Sequence, residues 1–392
     1  MATVVLKPGK ERRLRAGHAW VYAGEVAKIT GTVADGDAVA VRDAKGRPLG
    51  RGLLNRQSQI VVRRYTSGGE DFDEAWLRER IRAAESYRLA VYGGEVTSYR
   101  LVFGESDLVP GLVVDRYGDC LVMQALTLGV ERRKREVLAI LEREFGPRAI
   151  VERSDVHTRE LEGLQPVKGV VAGRLDGPVE IECAGLRWEV DLLEDQKTGF
   201  FLDQRDNYRC VAAWAAGRRV LDCFSYHGGF GLVTAAAGAK SVELVEISES
   251  AVARARRNAE RNGLLGRVEF VCANAFDVLK QWDKERKRYE LIVLDPPSFT
   301  RTKDRVGEAV RGYKEINLRA LKMLEAGGLL ATFTCSHHVG WALFEAIVRD
   351  AAADARRTVR LVQRLTQARD HPVALGIEET EYLRGLLLQV MA

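Results

Sequence analysis

The sequence predicts an α/β protein whose C-terminal half forms a mostly parallel, doubly wound sheet. Seven strand-length apolar runs occur between residues 219 and 389, and helical segments of roughly 10 to 18 residues separate the first six. Glycines cluster directly after the first run, which is typical of a turn from a strand into a helix. Two other runs end abruptly in polar, reactive side chains, Asp295 and Cys335. These three observations predict a sheet with a binding site at the carboxyl ends of its strands.

Residues 1–68 predict a small β-rich domain. A run at 33–41 that ends in alternation and a strand at 59–65, with a Gly-containing turn at 43–46, are typical of a compact barrel. This segment carries 13 Lys and Arg against 5 Asp and Glu, whereas the full chain has a net charge of only +5, so the remainder sums to −3. A basic domain on a near-neutral body is the expected footprint of phosphate binding, and an ordinary solvated surface is the alternative.

Residues 69–177 predict a small α/β middle domain. No catalytic constellation occurs in this segment, so we expect it to space and shape the substrate site. Its predicted elements are a helix at 73–91, strands at 112–115 and 120–125, a helix at 131–145 and a strand at 149–152.

Residues 178–392 predict the catalytic domain. A hairpin at 179–192, turning at Ala184-Gly185, leads into the alternating strands and helices. The last two strands have no helix between them, so we expect an antiparallel hairpin at one edge of the sheet. The seven predicted strands are 219–222, 241–246, 268–272, 290–295, 328–334, 359–365 and 382–389.

Composition excludes several classes of protein. The chain is 46% hydrophobic and 29% charged, and no apolar run is long enough for a membrane span or a signal peptide, which favours a cytoplasmic protein. The six cysteines form no Cys-x-x-Cys pair, so a zinc site or a disulfide framework is not expected. The few dispersed histidines do not indicate a metal site either.

A cofactor site is predicted where the first two strands of the sheet end. The turn after Asp222 carries Gly228 and Gly231, which let the backbone approach a ligand closely, and the following helix start favours a negative group. Glu246 closes the next strand and could accept hydrogen bonds from two ribose hydroxyls. Because the turn lacks G-x-G-x-x-G and Asp222 suits an ammonium group, the pattern favours S-adenosylmethionine over NAD. Asn274 follows the third strand and could bind an adenine edge or simply form a turn.

The second pair of strand ends carries the chemistry. Asp295 is followed by the stiff Pro296-Pro297 step, and Cys335 ends the next strand. If these strands are neighbours, the carboxyl and the thiol share one pocket. A thiolate can add to C6 of a pyrimidine and make C5 nucleophilic, while the carboxyl serves N3. The pair therefore indicates methyl transfer to a pyrimidine by covalent catalysis.

These motifs resemble the RlmI-like ribosomal RNA large subunit methyltransferases, which make 5-methylcytosine. The resemblance covers nearly the whole chain. It rests on residues 14–22 and 50–55 in the basic domain, and on 196–205, Asp222, 295–297 and 334–336 in the catalytic domain.

The resemblance implies three domains: a barrel-like PUA RNA-binding domain at 1–68, the α/β middle domain at 69–177, and a Rossmann-like class I methyltransferase domain at 178–392. It implies S-adenosylmethionine as cofactor, ribosomal RNA as partner, no membrane or metal, and a possible homodimer. The implied catalytic residues are Cys335 and Asp295. The implied cofactor-binding residues are Phe200, Asp222, Phe224, Ser225, Gly228, Gly231, Glu246, Asn274 and Asp295. The implied substrate-binding residues are Lys197, Arg205, Pro296, Pro297 and Ser298.

One position limits the mechanism. Other 5-methylcytosine enzymes carry a second cysteine directly after the Pro-Pro step, where this chain has Ser298. The base that removes the C5 proton is therefore not identified; a water, Ser298 or a basic group in 196–205 are the candidates. Phe200 fits core packing as well as cofactor binding.

Three other functions stay open at this point. The chain could methylate another base or atom of RNA, although enzymes that methylate amines tend to have an aromatic residue where Ser298 stands. It could be an inactive assembly factor with a methyltransferase fold, although the complete set of Asp222, Glu246, Asp295 and Cys335 argues against that. An NAD-dependent oxidoreductase is the most distant alternative, because its fingerprint is missing.

Overall fold

The computed structural model describes residues 1–300 and 302–391. The chain forms two compact units, and each contains segments that are distant in sequence. The first comprises Met1–Ile181, Val190–Leu202 and Arg369–Thr380, and the second comprises Glu182–Glu189, Asp203–Ala368 and Glu381–Ala392. None of the helices among the described residues is long and apolar enough to cross a membrane.

The first unit begins with a six-stranded, mostly antiparallel sheet, in the order β2-β6-β5-β4-β1-β3. Its first strand alternates half-buried and buried residues, as a sheet with one buried face requires, and the sheet encloses an apolar core around Val4, Leu6 and Val62. The predicted β-rich character of this segment is thus confirmed, although four of its strands had not been predicted. The strands are β1 (Thr3–Leu6), β2 (Trp20–Tyr22), β3 (Val26–Thr30), β4 (Ala38–Arg42), β5 (Pro48–Leu54) and β6 (Ile60–Thr66), with a short helix α1 (Arg12–Arg15).

A five-stranded sheet in the order β11-β10-β9-β8-β7 completes the first unit, together with three helices. The helix α2 begins after its cap Asp73, whose side chain accepts from the Trp76 N–H, and ends at Gly93 in the left-handed conformation. The predicted helix at 131–145 is broken at Arg133. The elements are α2 (Glu74–Tyr92), β7 (Ser98–Phe103), β8 (Leu112–Tyr117), β9 (Cys120–Ala125), α3 (Leu128–Arg132), α4 (Lys134–Phe145), β10 (Ala149–Ser154) and β11 (Val167–Gly173).

The second unit is built on a seven-stranded sheet in the order β16-β15-β14-β17-β18-β20-β19. The strands are β14 (Arg219–Cys223), β15 (Ser241–Glu246), β16 (Val268–Cys272), β17 (Tyr289–Leu294), β18 (Leu324–Thr334), β19 (Val359–Thr366) and β20 (Arg384–Val390). The helices are α5 (Arg205–Ala212), α6 (Gly229–Ala236), α7 (Glu249–Arg261), α8 (Ala275–Lys284), α9 (Val306–Met323) and α10 (Trp341–Asp354). A hairpin of β12 (Val179–Cys183) and β13 (Leu186–Val190) precedes them.

The first five strands of this sheet are parallel, which confirms the predicted doubly wound architecture. The central strand β17 is buried along Leu291–Leu294, because helices cover parallel sheets on both faces. The apolar core against the sheet gathers residues of α8, α9 and α10, including Trp282, Tyr313 and Phe344.

The last two strands differ in one respect from the prediction. β20 pairs antiparallel with both β18 and β19, and β19 lies at the edge, as expected. They are not joined by a hairpin turn, because residues 367–383 connect them and 369–380 belong to the first unit. The proposed division into domains at 1–68, 69–177 and 178–392 stays a prediction.

Candidate active site

The carboxyl ends of five parallel strands meet at one edge of the second unit's sheet. Asp222 lies near the end of β14, and Glu246 is the last residue of β15. Asp295 directly follows β17, and Cys335 directly follows β18. β17 and β18 are hydrogen-bonded neighbours, with Leu294 opposite Thr332. Asp295 and Cys335 therefore end adjacent strands, which is the condition under which the sequence placed them together, and both lie at the edge where such sheets bind ligands.

The turn after β14 has the backbone of a close-approach loop. Phe224, Tyr226 and Gly228 all have positive φ angles, of 63°, 48° and 86°. The turn leads directly into α6, where a Cβ on Gly231 would collide with Leu244 and come within 3.1 Å of an Asp222 oxygen. Glycine at 231 is thus required for α6 to begin this close to the strand ends.

Asp222 is a buried carboxylate with unused capacity. It is 1% exposed, and its Oδ2 accepts from the Gly231 N–H at 2.8 Å. Its Oδ1 has no hydrogen-bond partner among the described residues. Burial raises the pKa of Asp222 well above its ordinary value, and the Asp295 and Glu246 carboxylates raise it further against the Gly231 hydrogen bond. A cationic ligand group beside the unpaired oxygen would favour the ionised form of Asp222 and offset these effects, in agreement with the ammonium group of S-adenosylmethionine that the sequence suggested.

Glu246 is held by backbone donors on both sides. Its Oε2 accepts from the Tyr226 N–H and its Oε1 from the Ser248 N–H, each at 2.9 Å. These bonds fix the carboxylate plane, and each oxygen retains a lone pair for a ribose hydroxyl. Asn274 is exposed and caps α8, since its Oδ1 accepts from the Phe276 N–H at 2.9 Å. The turn role predicted for Asn274 is therefore present, and adenine contact stays a prediction.

An aromatic cluster at the same edge joins Phe224, which was predicted to bind the cofactor, to two rings that were not predicted. The ring centroids of Phe224 and Phe276 are 6.1 Å apart, and Phe299 lies 6.5 Å from Phe224 and 5.6 Å from Phe276. All three rings are half-buried. Half-buried rings at the ligand-binding edge of such a sheet suit stacking against a planar base. For Phe276, its position shortly beyond the end of β16 was the available signal.

Asp295 is half-buried and receives a hydrogen bond that the sequence did not suggest. The Gln204 Nε2 donates to Asp295 Oδ2 at 3.0 Å, although the two residues are 91 positions apart. Gln204 lies in the 196–205 segment but had no assigned role. Pro296 is buried, while Pro297 and Ser298 are exposed.

A chain of hydroxyl groups ties the Cys335 region to the loop after Asp295. Thr334 Oγ1 donates to Tyr313 Oη at 2.8 Å, and Tyr313 Oη lies 2.9 Å from Ser336 Oγ. Ser336 Oγ in turn lies 3.0 Å from Ser298 Oγ, which donates to the Thr300 carbonyl at 2.8 Å. Each hydroxyl has one proton, so a single direction from Thr334 to Thr300 satisfies every link. The residues on both sides of Cys335 are thereby fixed to α9 and to the Pro-Pro loop.

Removing the central hydroxyl of this chain is expected to destabilise the second unit. Tyr313→Phe leaves the buried Thr334 donor without an acceptor, which should cost about 1–3 kcal/mol. Ser298→Ala, at the exposed end, should cost less, because water can replace the lost group. Urea unfolding of both variants measures the difference. An equal free energy of unfolding for Tyr313→Phe and the parent protein would show that this chain of hydroxyl groups does not stabilise the second unit.

Three predicted site residues, Lys197, Phe200 and Arg205, lie in the 196–205 segment, which is divided between the two units. Lys197 and Phe200 belong to the first unit, where the Phe200 N–H donates to Tyr117 Oη at 3.1 Å and Phe200 is 4% exposed. Phe200 therefore packs in the core of its own unit, and its cofactor role stays a prediction. Lys197 has a left-handed backbone (φ 55°) and its Nζ lies 4.2 Å from the Phe201 ring centroid. Arg205 is 1% exposed at the start of α5.

The antiparallel strand β20 lies next to β18, the last parallel strand, and a carboxylate lies at the end of both β14 and β15. This arrangement defines a class I S-adenosylmethionine-dependent methyltransferase. The comparisons agree with that class. A family model for S-adenosylmethionine-dependent methyltransferases matches residues 170–387, and a PUA-like domain model matches residues 4–67.

Individual relatives match over the whole length. Ribosomal RNA large subunit methyltransferase I of Shewanella denitrificans is 42% identical over 99% of both chains. A proposed S-adenosylmethionine-dependent methyltransferase from Streptococcus mutans has the same fold, with a TM-score of 0.85, 20% identity and full coverage of both chains. A proposed methyltransferase solved in complex with SAH gives a TM-score of 0.86 at 20% identity, also with full coverage. The chain belongs to the S-adenosylmethionine-dependent methyltransferases and, within them, to the ribosomal RNA large subunit methyltransferase I family.

The Asp222 site allows a prediction in which ligand affinity and stability move in opposite directions. Asp222→Asn removes the charge that a cationic ligand needs, so S-adenosylmethionine affinity should fall by about 30-fold, or about 2 kcal/mol. The pKa of Asp222 is higher in the folded state than in the unfolded state. The folded protein therefore loses stability as the pH rises above the pKa that Asp222 has in the unfolded chain. The ligand-free variant should therefore melt at a higher temperature at pH 7.5, and the gain should shrink toward pH 4.

Calorimetric titration and thermal unfolding at the two pH values test this prediction. Asp277→Asn on the exposed face of α8 is a matched control that should change neither quantity. Unchanged affinity together with a lower melting temperature would contradict the role given to Asp222.

Proposed function

We propose that this protein forms 5-methylcytosine in large-subunit ribosomal RNA, with Cys335 as nucleophile and Asp295 as proton donor. The observation that carries the proposal is the placement of Asp295 and Cys335 after the neighbouring parallel strands β17 and β18. The Asp222 and Glu246 carboxylates lie at the ends of the adjacent strands β14 and β15. The 42% identity with a ribosomal RNA large subunit methyltransferase supports ribosomal RNA as substrate. This substrate implies a cytoplasmic location.

Cytosine C5 is a poor nucleophile, and addition of a thiolate to C6 makes it more nucleophilic. The Cys335 sulfur bonds to C6 as the C5–C6 double bond opens, and N3 takes a proton from Asp295 as electrons reach it. Bound S-adenosylmethionine supplies an electrophilic methyl group at this point. C5 then bonds to that methyl carbon while the bond from the methyl carbon to sulfur breaks.

The product is released by reversing the activation. A base removes the C5 proton, the C5–C6 double bond re-forms, and the C6–S bond breaks to return the thiolate. The N3 proton returns to Asp295, so the enzyme ends in its starting state. Ser298 is poorly suited as the base, because its proton is donated to Thr300 and Ser336 lies against its oxygen. A water or a basic group of 196–205 remains the proposal for this step.

The N-terminal sheet fits the RNA-binding part of the proposal. The PUA-like match covers residues 4–67, and residues 1–68 carry an excess of eight positive charges. Contacts between basic side chains and phosphates would give affinity that falls with salt. The target cytosine must also leave its stack to reach a site at strand ends. A homodimer stays a prediction.

Nucleoside analysis tests the proposal against its alternatives. Unmodified large-subunit RNA is incubated with the protein and methyl-labelled S-adenosylmethionine, and the labelled nucleoside is identified. The proposal expects label in 5-methylcytidine. Label in a methylated guanosine or adenosine would assign another base, and absence of label in every nucleoside, despite S-adenosylmethionine binding, would favour an assembly factor.

A further inference from the structure

Two buried amides behind Asp295 form a hydrogen-bonded relay that we call the Gln204–Asn207 pair. Gln204 is 2% exposed at the start of α5, and Asn207 is 3% exposed about one turn later. Gln204 donates from Nε2 to Asp295 Oδ2 at 3.0 Å, and its Oε1 accepts from Asn207 Nδ2 at 2.6 Å. The same Nδ2 also donates to the Thr366 carbonyl at 2.9 Å.

The direction of this relay follows from one group that cannot change its role. The Thr366 carbonyl can only accept, so Asn207 must present its NH₂ group to it. That NH₂ group then also faces Gln204, which must therefore present its carbonyl oxygen to Asn207. The NH₂ end of Gln204 is left facing Asp295, and Asp295 Oδ2 must accept. Reversing any link would place two donors or two acceptors against each other in a buried site, at a cost of about 1–3 kcal/mol for each unsatisfied group.

We infer that the Gln204–Asn207 pair decides which oxygen of Asp295 carries the catalytic proton: Oδ2 is held as an acceptor, so the proton that passes to cytosine N3 resides on Oδ1. This inference rests on the proposed function and adds positioning residues to it. Gln204 and Asn207 touch no substrate atom in this role, because they act through Asp295. The relay prevents the proton from moving to the oxygen that faces α5.

Other acidic groups of the second unit act on Asp295. Among the described residues, Asp222 on β14 and Tyr208 on α5 are coupled electrostatically to Asp295, and the Cys335 thiol follows the adjacent strand β18. Burial and its acidic neighbours raise the pKa of Tyr208 well above the ordinary value, so Tyr208 stays neutral. Several acidic groups thus lie near the proton of Asp295. The Gln204 amide is a neutral donor of fixed direction, so it keeps that proton on Oδ1 without adding a charge.

Gln204→Glu distinguishes the inferred role from two simpler roles of Gln204, which are stabilising the ionised carboxylate and supporting the fold. With one proton shared between the introduced carboxyl group and Asp295 Oδ2, Oδ1 is unprotonated and transfer to N3 fails. Only when both carboxyl groups are protonated does the introduced side chain donate to Oδ2 as the amide did. We therefore expect kcat near pH 7.5 to fall by about 10², with the KM for S-adenosylmethionine unchanged, and the alkaline limb of the pH–rate profile to move to lower pH.

The alternatives predict other movements of the same limb. If Gln204 only stabilised the ionised carboxylate, a second carboxylate would favour protonation and move the limb to higher pH. If Gln204 only supported the fold, kcat would fall without a change in the limb. Either result would overturn the inference. Gln281→Glu is the matched control: its amide donates to the Glu285 carboxylate at 2.8 Å, but it is exposed on α8.

Asn207→Asp gives an independent test if Gln204→Glu folds poorly. A carboxylate at 207 cannot donate to Gln204, so the Gln204 amide should turn and present its carbonyl to Asp295 Oδ2, which then draws the proton. We expect a loss of kcat of about tenfold or more although Asp295 itself is untouched. An unchanged kcat in a folded Asn207→Asp protein would overturn the inference.

Both variants are measured with RNA containing 5-fluorocytidine as well as with normal RNA, because fluorine at C5 stops release and so reports attack and methyl transfer without the release step. Absence of a covalent adduct with the parent protein, or full activity of Cys335→Ala, would defeat the proposed function. A parent adduct together with an unmoved limb in Gln204→Glu would leave the proposed function standing and defeat only the role of the Gln204–Asn207 pair.

Discussion

Cys335→Ala is expected to abolish 5-methylcytosine formation while S-adenosylmethionine still binds. Without a thiolate, C6 receives no nucleophile, C5 stays unreactive, and no other group assigned to the strand ends can replace sulfur. The side chain is half-buried at the end of β18, so its loss should change stability by less than a core truncation would. We expect no methylated nucleoside above background, with a calorimetric affinity for S-adenosylmethionine equal to that of the parent.

The matched control is Cys272→Ala. Cys272 is an exposed thiol at the end of β16 in the same sheet, so its removal tests whether any cysteine at this edge is required. This variant should keep full activity. Activity in Cys335→Ala would exclude covalent catalysis by this residue and would favour direct methylation of another atom.

Asp295→Asn is expected to lower kcat by about 10² to 10⁴ with little change in the KM for RNA. Asparagine has the same shape, and its carbonyl can still accept from Gln204, so its NH₂ group would face the base. It can donate a hydrogen bond to N3 but cannot transfer a proton. The substrate should therefore bind, and the alkaline limb of the pH–rate profile should disappear because the titrating group is gone.

Single-turnover rates across pH measure this effect separately from product release. Asp277→Asn on α8 again serves as the control with an exposed carboxylate. A fall in RNA affinity at unchanged kcat would show that Asp295 only binds the base, and a parent-like pH profile would contradict its role as proton donor.

The strand ends could be predicted from sequence because their signals are local. The run that ends at Asp295 is apolar and stops at two prolines, and the run before Cys335 stops equally abruptly. Alternation with helices then implied parallel strands, and the carboxyl ends of parallel strands meet at one edge. The pairing of β17 with β18 entered the sequence argument only as a condition, and the structure meets that condition.

The contacts behind these strand ends could not be predicted in the same way. Gln204 reaches Asp295 across 91 positions, and Asn207 reaches Thr366 across 159. Neither contact leaves a periodic pattern in the sequence, because it depends on how α5 lies against the sheet. The path of residues 369–380, which interrupt the second unit's sequence and belong to the first, likewise depends on tertiary packing rather than on local turn signals.

The most direct test of the account is the identity of the residue that bonds to the target base. RNA containing 5-fluorocytidine is incubated with the protein and S-adenosylmethionine, digested, and searched by mass spectrometry for a peptide–nucleotide conjugate. We predict a conjugate on the peptide that contains Cys335, carrying one added methyl group, and none with Cys335→Ala. A methylated RNA product without any conjugate, or a conjugate on another cysteine, would contradict it.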